Sequence, residues 1–237
     1  MVKLLEGVFQ VGGASLSHPE DGSAYLIEDG GEAVLIDCGS HLGVNRLLKN
    51  IRSDGVPLGK IKLIVGTQGH FDHVEAASHL KRRHRGLELG MHEKDRSIVE
   101  KGDAVRTCAN FYGERFHPTK VDLILRDGDE ISVGSRVLRT FHLPGHTNGH
   151  LGLSVDVNGL SVLFAGSTLT GGFWLHSSNL AQWKRSLDRL LGMSFDLFTE
   201  SHSDCVIYAY TKERLLKAKS AVLNEALTFL GMSPWPS

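Results

Sequence analysis

The sequence predicts an α/β fold with two similar halves, each starting with antiparallel strands and continuing with a strand and a helix. Continuous apolar runs at residues 33–36 and 61–65 are typical of strands that are buried on both faces. Segments with helical spacing of apolar residues follow these runs, at residues 41–52 and 74–85. This alternation of buried strands and helices indicates a sheet that is covered by helices.

The second half of the chain repeats this order from about residue 121. The strands expected there are 121–125, 130–133, 137–142, 150–157, 160–165 and 195–199, and the helices are 179–191 and 211–230. Asn158-Gly159 is the strongest short hairpin signal in the chain. No low-complexity linker separates the halves, so we expect a single domain over 1–237, with halves of roughly 1–120 and 121–237.

The segment 101–120 is less regular and carries Phe111, Tyr112 and Phe116. Two interpretations fit its aromatic character: a helix that packs on the core, or part of a pocket wall.

The composition is that of an ordinary globular protein and argues against several functional classes. The 237 residues are 41% hydrophobic and 22% charged, with a formal net charge of -1. So small a charge gives no global field to attract nucleic acid or an anionic membrane. No apolar run approaches the ~18 residues that span a bilayer. We therefore expect a small-molecule substrate, with no nucleic-acid partner and no membrane partner.

The cysteines and the chain start indicate a cellular location. Cys38, Cys108 and Cys205 are odd in number and far apart, which argues against a disulfide framework and fits a reducing compartment. The first residues include an acid at Glu6 and lack the apolar core of a signal peptide. We predict a cytoplasmic protein, with a processed secreted form as the alternative. The oligomeric state is left open.

Three polar residues lie close together in sequence at a predicted strand-to-helix turn. His70, Asp72 and His73 follow the strand 61–65 within four residues of one another. Imidazole nitrogen and carboxylate oxygen are the ligands that hold zinc. Further polar residues also follow predicted strands, namely Asp37, His146, Ser167 and His202. Because loops beyond strand ends are where α/β sheets assemble their sites, we expect these side chains to converge.

The same residues carry a family resemblance. Gln68-Gly69-His70-Phe71-Asp72-His73 matches the pattern His-x-His-x-Asp-His except at its first position, and Pro144-Gly145-His146-Thr147 matches Pro-Gly-His-Thr. With these motifs, the chain resembles the metallo-β-lactamase superfamily over nearly its whole length. The resemblance implies a four-layered αβ/βα sandwich with a metal site between two halves.

The resemblance also implies two zinc sites and their ligands. The first would be Gln68, His70 and His146, and the second Asp72, His73 and His202. Gln68 replaces a histidine by a neutral amide, which is a weaker zinc ligand. We therefore predict one or two zinc ions, with the second site stronger and the first weak or empty.

A second departure concerns the residue that usually bridges the metals. Ser167 stands where the family has an aspartate, after a strand that ends in Ala165-Gly166. One β-lactamase subclass has serine there and, in some members, glutamine in the first histidine position. The departures from the family pattern therefore do not by themselves indicate an inactive enzyme.

The resemblance and the residues together give each position a hypothetical role. Asp72 would be the catalytic residue, ligating metal and orienting the water nucleophile. Asp37 would hold the ligand loop from behind. Ser167 would bond a metal-bound water or a substrate carboxylate, or only a local backbone group. Phe173 and Trp174 would line the substrate entrance, or form a structural aromatic pair.

The function predicted from this set is a zinc-dependent hydrolase that uses metal-activated water on a small carbonyl substrate. A β-lactam, a lactone and a thioester are the candidates. The region around residues 170–176 has no basic cluster such as binds glutathione or RNA phosphates, which disfavours thioesterase and nuclease activity. Two alternatives remain: a phosphodiesterase or nuclease-type metallohydrolase, and a metal-poor binding module without catalysis.

Overall fold

The first sheet contains seven strands in chain order. The computed structural model describes residues 1–53, 55–170, 177–202 and 205–229. The strands are β1 (Val2–Leu5), β2 (Val8–Gly12), β3 (Ala24–Asp29), β4 (Glu32–Ile36), β5 (Ile61–Val65), β6 (Glu88–His92) and β7 (Leu123–Leu125). Pairing is antiparallel from β1 to β4 and parallel from β4 to β7. Strand β1 was not expected from the sequence.

The second sheet contains six strands. They are β8 (Glu130–Val133), β9 (Arg136–His142), β10 (Leu151–Val157), β11 (Leu160–Phe164), β12 (Leu197–Thr199) and β13 (Tyr208–Ala209). Their spatial order is β13-β12-β11-β10-β9-β8, and only the pair β11–β12 is parallel. The hairpin expected at Asn158-Gly159 joins β10 to β11, and Asn158 has a positive φ of 55° there.

Six α-helices and three short 3-10 turns complete the described chain. The helices are α1 (Val44–Ser53), α2 (Phe71–Val74), α3 (Ala77–Arg83), α4 (Glu93–Lys101), α5 (Leu180–Leu191) and α6 (Lys212–Phe229). The 3-10 turns are Leu58–Lys60, Ala109–Tyr112 and Gly166–Leu169. No helix in the described parts of the chain has the length and apolar character needed to cross a membrane.

The single helix expected at 74–85 is instead two helices with an earlier start. The carbonyl oxygen of Asp72 accepts a hydrogen bond from Gly22 N (2.9 Å), and Ala76 N donates to Gly39 O (3.0 Å). These tertiary bonds replace the bond from Ala76 N to Asp72 O that a continuous helix needs. The prediction was wrong here because sequence periodicity does not show such competing partners.

The segment 101–120 forms no α-helix, so the interpretation as a core helix was wrong. Its regular part is the 3-10 turn Ala109–Tyr112. Tyr112 stacks on Phe71 with ring centroids 5.2 Å apart, and Phe116 is buried. Phe111 is 75% exposed. The aromatic residues therefore fasten this segment to α2 rather than forming one helical face.

Three apolar clusters show that the molecule has four layers. The first lies between helices α1 to α4 and one face of the first sheet. The second lies between the two sheets, where Ile36 and Val65 share a core with Leu153 and Val162. The third lies between the second sheet and helices α5 and α6, with Trp183 fully buried. The predicted αβ/βα sandwich is confirmed.

The strand register brings polar loops together at one edge of the sandwich. Ile36 pairs with Val65, so Asp37 and the segment that begins at Gly66 leave the first sheet side by side. Phe164 pairs with Thr199 in the same way in the second sheet. Leu151 N donates to Thr67 O (2.7 Å) and joins the two halves at this edge.

Gly145 controls how the loop after β9 packs on α5. Its φ is +146°, and a Cβ there would lie 2.3 Å from Trp183 Cα. We expect Gly145→Ala to cost about 3 kcal/mol through strain and overpacking. The melting temperature should fall by about 6–12 °C, as measured by calorimetry.

Gly128→Ala is the matched control for that substitution. Gly128 also has a positive φ (+82°), but nothing lies within 4 Å of its added Cβ. Only backbone strain of about 1–2 kcal/mol applies there. An equal loss of stability in both variants would show that the contact with Trp183 is unimportant.

Candidate metal centre

Asp72, His73 and His202 form one set of converging ligand atoms. Asp72 Oδ2 lies 3.5 Å from His73 Nε2 and 3.4 Å from His202 Nε2. A tetrahedral zinc ion with bonds of about 2.0–2.1 Å places its ligand atoms about 3.3 Å apart. The set therefore has the spacing of a metal site. His73 is fully buried, whereas the side chain of His202 is 48% exposed and faces the opening.

Gln68, His70 and His146, the first predicted site, also converge. His70 Nδ1 lies 3.2 Å from His146 Nε2 and 3.2 Å from the side-chain nitrogen of Gln68. All three residues are buried. A half-turn of the Gln68 amide would point its oxygen, instead of its nitrogen, at the His70 imidazole, as a metal ligand requires.

Orphaned polar atoms provide a test of whether this centre fits a metal. Gln68 Oε1 and His73 Nε2 are buried and have no hydrogen-bond partner among the described residues. A buried polar atom without a partner costs about 1–3 kcal/mol, so such atoms call for an explanation. His73 Nε2 faces the other members of its set, and a divalent cation there would satisfy it. The residues present fit zinc.

Asp37 orients His73 from behind. Its carboxylate accepts hydrogen bonds from His73 Nδ1 (2.7 Å), Thr67 N (2.8 Å) and Thr67 Oγ1 (2.7 Å). With Nδ1 occupied as a donor, the Nε2 lone pair of His73 points into the ligand set. Asp37 itself has a φ of 56°, a strained conformation for a non-glycine residue. The contact is the one expected of a residue that holds the ligand loop.

Asp95, near the start of α4, is a supporting residue that the sequence analysis missed. It is 2% exposed and accepts hydrogen bonds from Gly69 N (3.0 Å), Thr147 Oγ1 (2.6 Å) and Gly149 N (2.8 Å). Gly69 lies between two ligands and Thr147 follows another, so Asp95 ties both ligand loops of the Gln68, His70 and His146 set. In the sequence it resembles an ordinary acid in a first helical turn.

Ser167 is fully buried and is engaged by protein groups. Its Oγ donates to Ser201 Oγ (3.1 Å), and its N donates to His150 Nε2 (2.9 Å). Ser201 precedes His202, so the hydroxyl contacts the base of the His202 loop. Phe173 and Trp174 lie outside the described residues. Ser177, just after them, places its Oγ 2.9 Å from His70 Nε2.

The two ligand sets differ in their electrostatics. Burial and the neighbouring imidazoles lower the pKa of His70 to about 3, and burial likewise holds the pKa of His146 well below its ordinary value. Burial opposes a charge on His73 too, but the carboxylates of Asp72 and Asp37 outweigh it and raise the pKa of that imidazole to about 9. In the metal-free protein at neutral pH, the His73 imidazole is therefore protonated on both nitrogens and positively charged, whereas the imidazoles of His70 and His146 are neutral.

Comparison with known proteins identifies the family. A family model described as the metallo-beta-lactamase superfamily matches residues 19–214. The chain belongs to this superfamily. Among similar proteins, the hydroxyacylglutathione hydrolase GloC of Haemophilus influenzae is 32% identical over 145 residues, so the match spans 58% of this chain and little more than half, 58%, of that protein. The acyl-coenzyme A thioesterase MBLAC2 of Gallus gallus is 25% identical over 226 residues, covering 85% and 78% of the two chains.

Solved structures of superfamily members share the architecture. A motif mutant of a metallo-beta-lactamase from Cronobacter sakazakii superposes with a TM-score of 0.81 and 20% identity over 97% of each chain. At this identity the likeness shows the fold alone. The assignment of individual residues as zinc ligands stays a prediction, which the spacing above supports.

Asp95→Asn should weaken metal binding at the Gln68, His70 and His146 set. The amide keeps the size of the carboxylate but cannot accept all three hydrogen bonds, so the two ligand loops separate. Loss of such a supporting contact costs about 10–100-fold in metal affinity. Competition with a chromophoric zinc chelator would measure it. Glu93→Gln, an exposed acid in the same helical turn, is the matched control and should change nothing.

Metal binding at the Asp72, His73 and His202 set should release a proton at neutral pH. Since the raised pKa of His73 keeps that imidazole protonated below about pH 9, affinity should rise by up to ~10-fold per pH unit until then. His146→Ala isolates this set, and calorimetry in buffers of different ionisation enthalpy counts the protons. Asp37→Asn should reduce the release. A pH-independent affinity would contradict the assignment.

Proposed function

We propose that this protein is a zinc-dependent hydrolase of a small carbonyl substrate, and that acyl thioesters fit it better than β-lactams or lactones. Because the chain belongs to the metallo-beta-lactamase superfamily and has its fold, it is a metallo-hydrolase. The observation that carries the proposal is the convergence of two ligand sets: His70 Nδ1 lies 3.2 Å from His146 Nε2, and Asp72 Oδ2 lies 3.4–3.5 Å from the Nε2 atoms of His202 and His73, close to the spacing of ligands around zinc.

Different described residues would have different roles in hydrolysis. A divalent ion held by these sets would lower the pKa of water towards ~7 and would polarise a carbonyl. Asp72 Oδ2 faces both imidazoles of its set, which leaves Oδ1 to orient the attacking water and carry its proton. Asp37 keeps His73 in the tautomer that ligates through Nε2. We propose that this set is stronger than the Gln68 set, since it has two imidazoles and a carboxylate.

A polar pocket beside His70 supports the thioester assignment. Its volume is about 190 Å³, and its lining includes Lys94, Arg106, Asn148 and Ser177. Ser177 is the residue that contacts His70 Nε2, so the pocket adjoins the ligand sets. Asp95 also lines it, but both of its oxygens are engaged by hydrogen bonds. The sequence showed no basic cluster near 170–176. In the structure, two cations from other segments, Lys94 and Arg106, line this pocket, and Arg106 also pairs with Asp103 (3.8 Å).

Two exposed cations, Lys94 and Arg106, favour a substrate whose thiol leaving group carries carboxylates or phosphates. Glutathione and coenzyme A bear two or more carboxylate or phosphate groups, whereas a penicillin bears a single carboxylate and a simple lactone bears none. The names of the two sequence relatives, a hydroxyacylglutathione hydrolase and an acyl-coenzyme A thioesterase, point the same way. The cytoplasmic location stays a prediction, and it suits thiol carriers because that compartment is reducing.

The test is a substrate panel with zinc-loaded protein. We expect turnover of a glutathione thioester or an acyl-CoA thioester, with kcat/KM at least ~10-fold above that for a β-lactam or a lactone. Asp72→Ala should lower kcat by about 10²–10⁴-fold, the size of a lost general base. A preference for the β-lactam would overturn the substrate class. No turnover of any substrate would overturn the hydrolase assignment.

The pocket is tested in the same assay with Lys94→Gln/Arg106→Gln. Loss of the cations should raise KM for the thioester about 5–10-fold and leave kcat unchanged, since neither residue reaches the ligand sets. Lys101→Gln/Arg82→Gln, which removes two exposed charges that do not line the pocket, is the charge-matched control. An unchanged KM would show that the pocket does not bind the leaving group.

A further inference from the structure

A second cluster of metal-ligating side chains lies outside the candidate metal centre. His41, Glu75 and His117 offer ligand atoms that all lie within 4.8 Å of one another. We call these three residues the outer cluster. They come from the loop after β4, the link between α2 and α3, and the connection before β7. The outer cluster shares no residue with either ligand set of the candidate centre.

Glu75 is the buried anchor of the outer cluster. Its side chain is fully buried and accepts hydrogen bonds from His41 N (2.6 Å), His41 Nδ1 (2.9 Å) and His117 Nδ1 (2.5 Å). Among the described residues, no lysine or arginine forms an ion pair with it. A buried carboxylate is costly unless a cation compensates it. In the part of the chain that the structure describes, the side chains that contact it as ion-pair partners are the imidazoles of His41 and His117.

The surroundings add further donors and an open approach. The His79 ring lies edge-on to His117, with centroids 5.2 Å apart, and stacks against His41 at 5.8 Å. Glu114 Oε2 lies 3.5 Å from His41 Nε2. The side chain of His117 is 46% exposed, so ions reach it from solvent. His79 and Glu114 therefore border the outer cluster, whose own converging ligand atoms belong to His41, Glu75 and His117.

We propose that His41, Glu75 and His117 bind a zinc ion at a site separate from the hydrolytic centre. Imidazole nitrogens and a carboxylate oxygen are suitable ligands for zinc, and a water or His79 could fill a fourth position. The present spacing of 2.5–2.9 Å is that of hydrogen bonds, whereas zinc ligands stand about 3.3 Å apart. An outward shift of less than about 1 Å at exposed His117 opens the required space.

Such an ion would fasten the segment that carries the hydrolytic ligands. Glu75 follows His73 by two residues, and Cys38, in the loop that leads to His41, donates its N–H to His73 O (2.7 Å). Phe71 N, at the start of α2, donates to Thr107 O (2.7 Å), and Thr107 lies in the connection that leads to His117. Zinc at the outer cluster would therefore hold α2 between two loops. This role is structural and does not depend on the proposed hydrolase activity.

Zinc counting on stripped protein tests the proposal. Protein dialysed against buffered free Zn²⁺ is analysed by mass spectrometry for zinc per chain. His41→Gln/His117→Gln should bind about one zinc fewer than the unmodified chain, and His18→Gln/His84→Gln, outside the cluster, should lose none. The same difference should persist when His70→Ala and Asp72→Ala have damaged the hydrolytic centre, which separates the two sites.

Two further measurements guard against a variant that fails to fold. In the unmodified chain, Zn²⁺ should protect His117 from carbethoxylation by at least ~5-fold, as mapped by peptide mass spectrometry. In the chain with the damaged hydrolytic centre, saturating Zn²⁺ should raise the melting temperature by about 5–10 °C, and Glu75→Gln should abolish the rise. Equal zinc content in all variants, or an unprotected His117, would show a hydrogen-bonded network that holds no metal.

Discussion

Two buried carboxylates, Asp37 and Asp95, hold the ligand segment of residues 68–73 at different points along it, and the candidate centre depends on them. Asp37 fixes Thr67 and the back of His73, while Asp95 fixes Gly69 and the loop after His146. A metal site must present several donors to one point at the same time. Bringing these donors close together is unfavourable without a cation, so the protein scaffold must impose the geometry. Each carboxylate does this with three hydrogen bonds that are shielded from water.

The same two carboxylates make the ligand sets chemically unequal. Asp37 lies directly behind His73 and adds to the negative charge of Asp72, so His73 retains a proton in the metal-free chain. Asp95 contacts backbone and hydroxyl groups instead, and the imidazoles of His70 and His146 stay neutral. Gln68 adds no charge to the set that it forms with His70 and His146. This inequality supports the proposal that the Asp72 set binds a cation more strongly once His73 has released its proton.

The loops around the centre decide what the common architecture can accept. Tyr112 stacks on Phe71, so the connection before β7 lies against the ligand helix α2. Arg106, in the same connection, meets Lys94 of α4 at the pocket beside His70. Ser167 is held by Ser201 and His150, so its hydroxyl contacts protein groups that support the His202 loop. The proposed substrate preference thus rests on segments that carry none of the family motifs.

The sequence by itself determined the α/β class and the residues 68–73, 146 and 202 as a convergent set, because periodicity and strand-end position are local properties. Only the tertiary structure revealed Asp95, the broken helix after His73, and the outer cluster of His41, Glu75 and His117. Asp95 looks like a helix-start acid, and its three partners come from distant loops. The helix breaks because Gly22 and Gly39 take over its hydrogen bonds. Such partners are separated by tens of residues along the chain, and only the packing of two sheets and their loops brings them into contact.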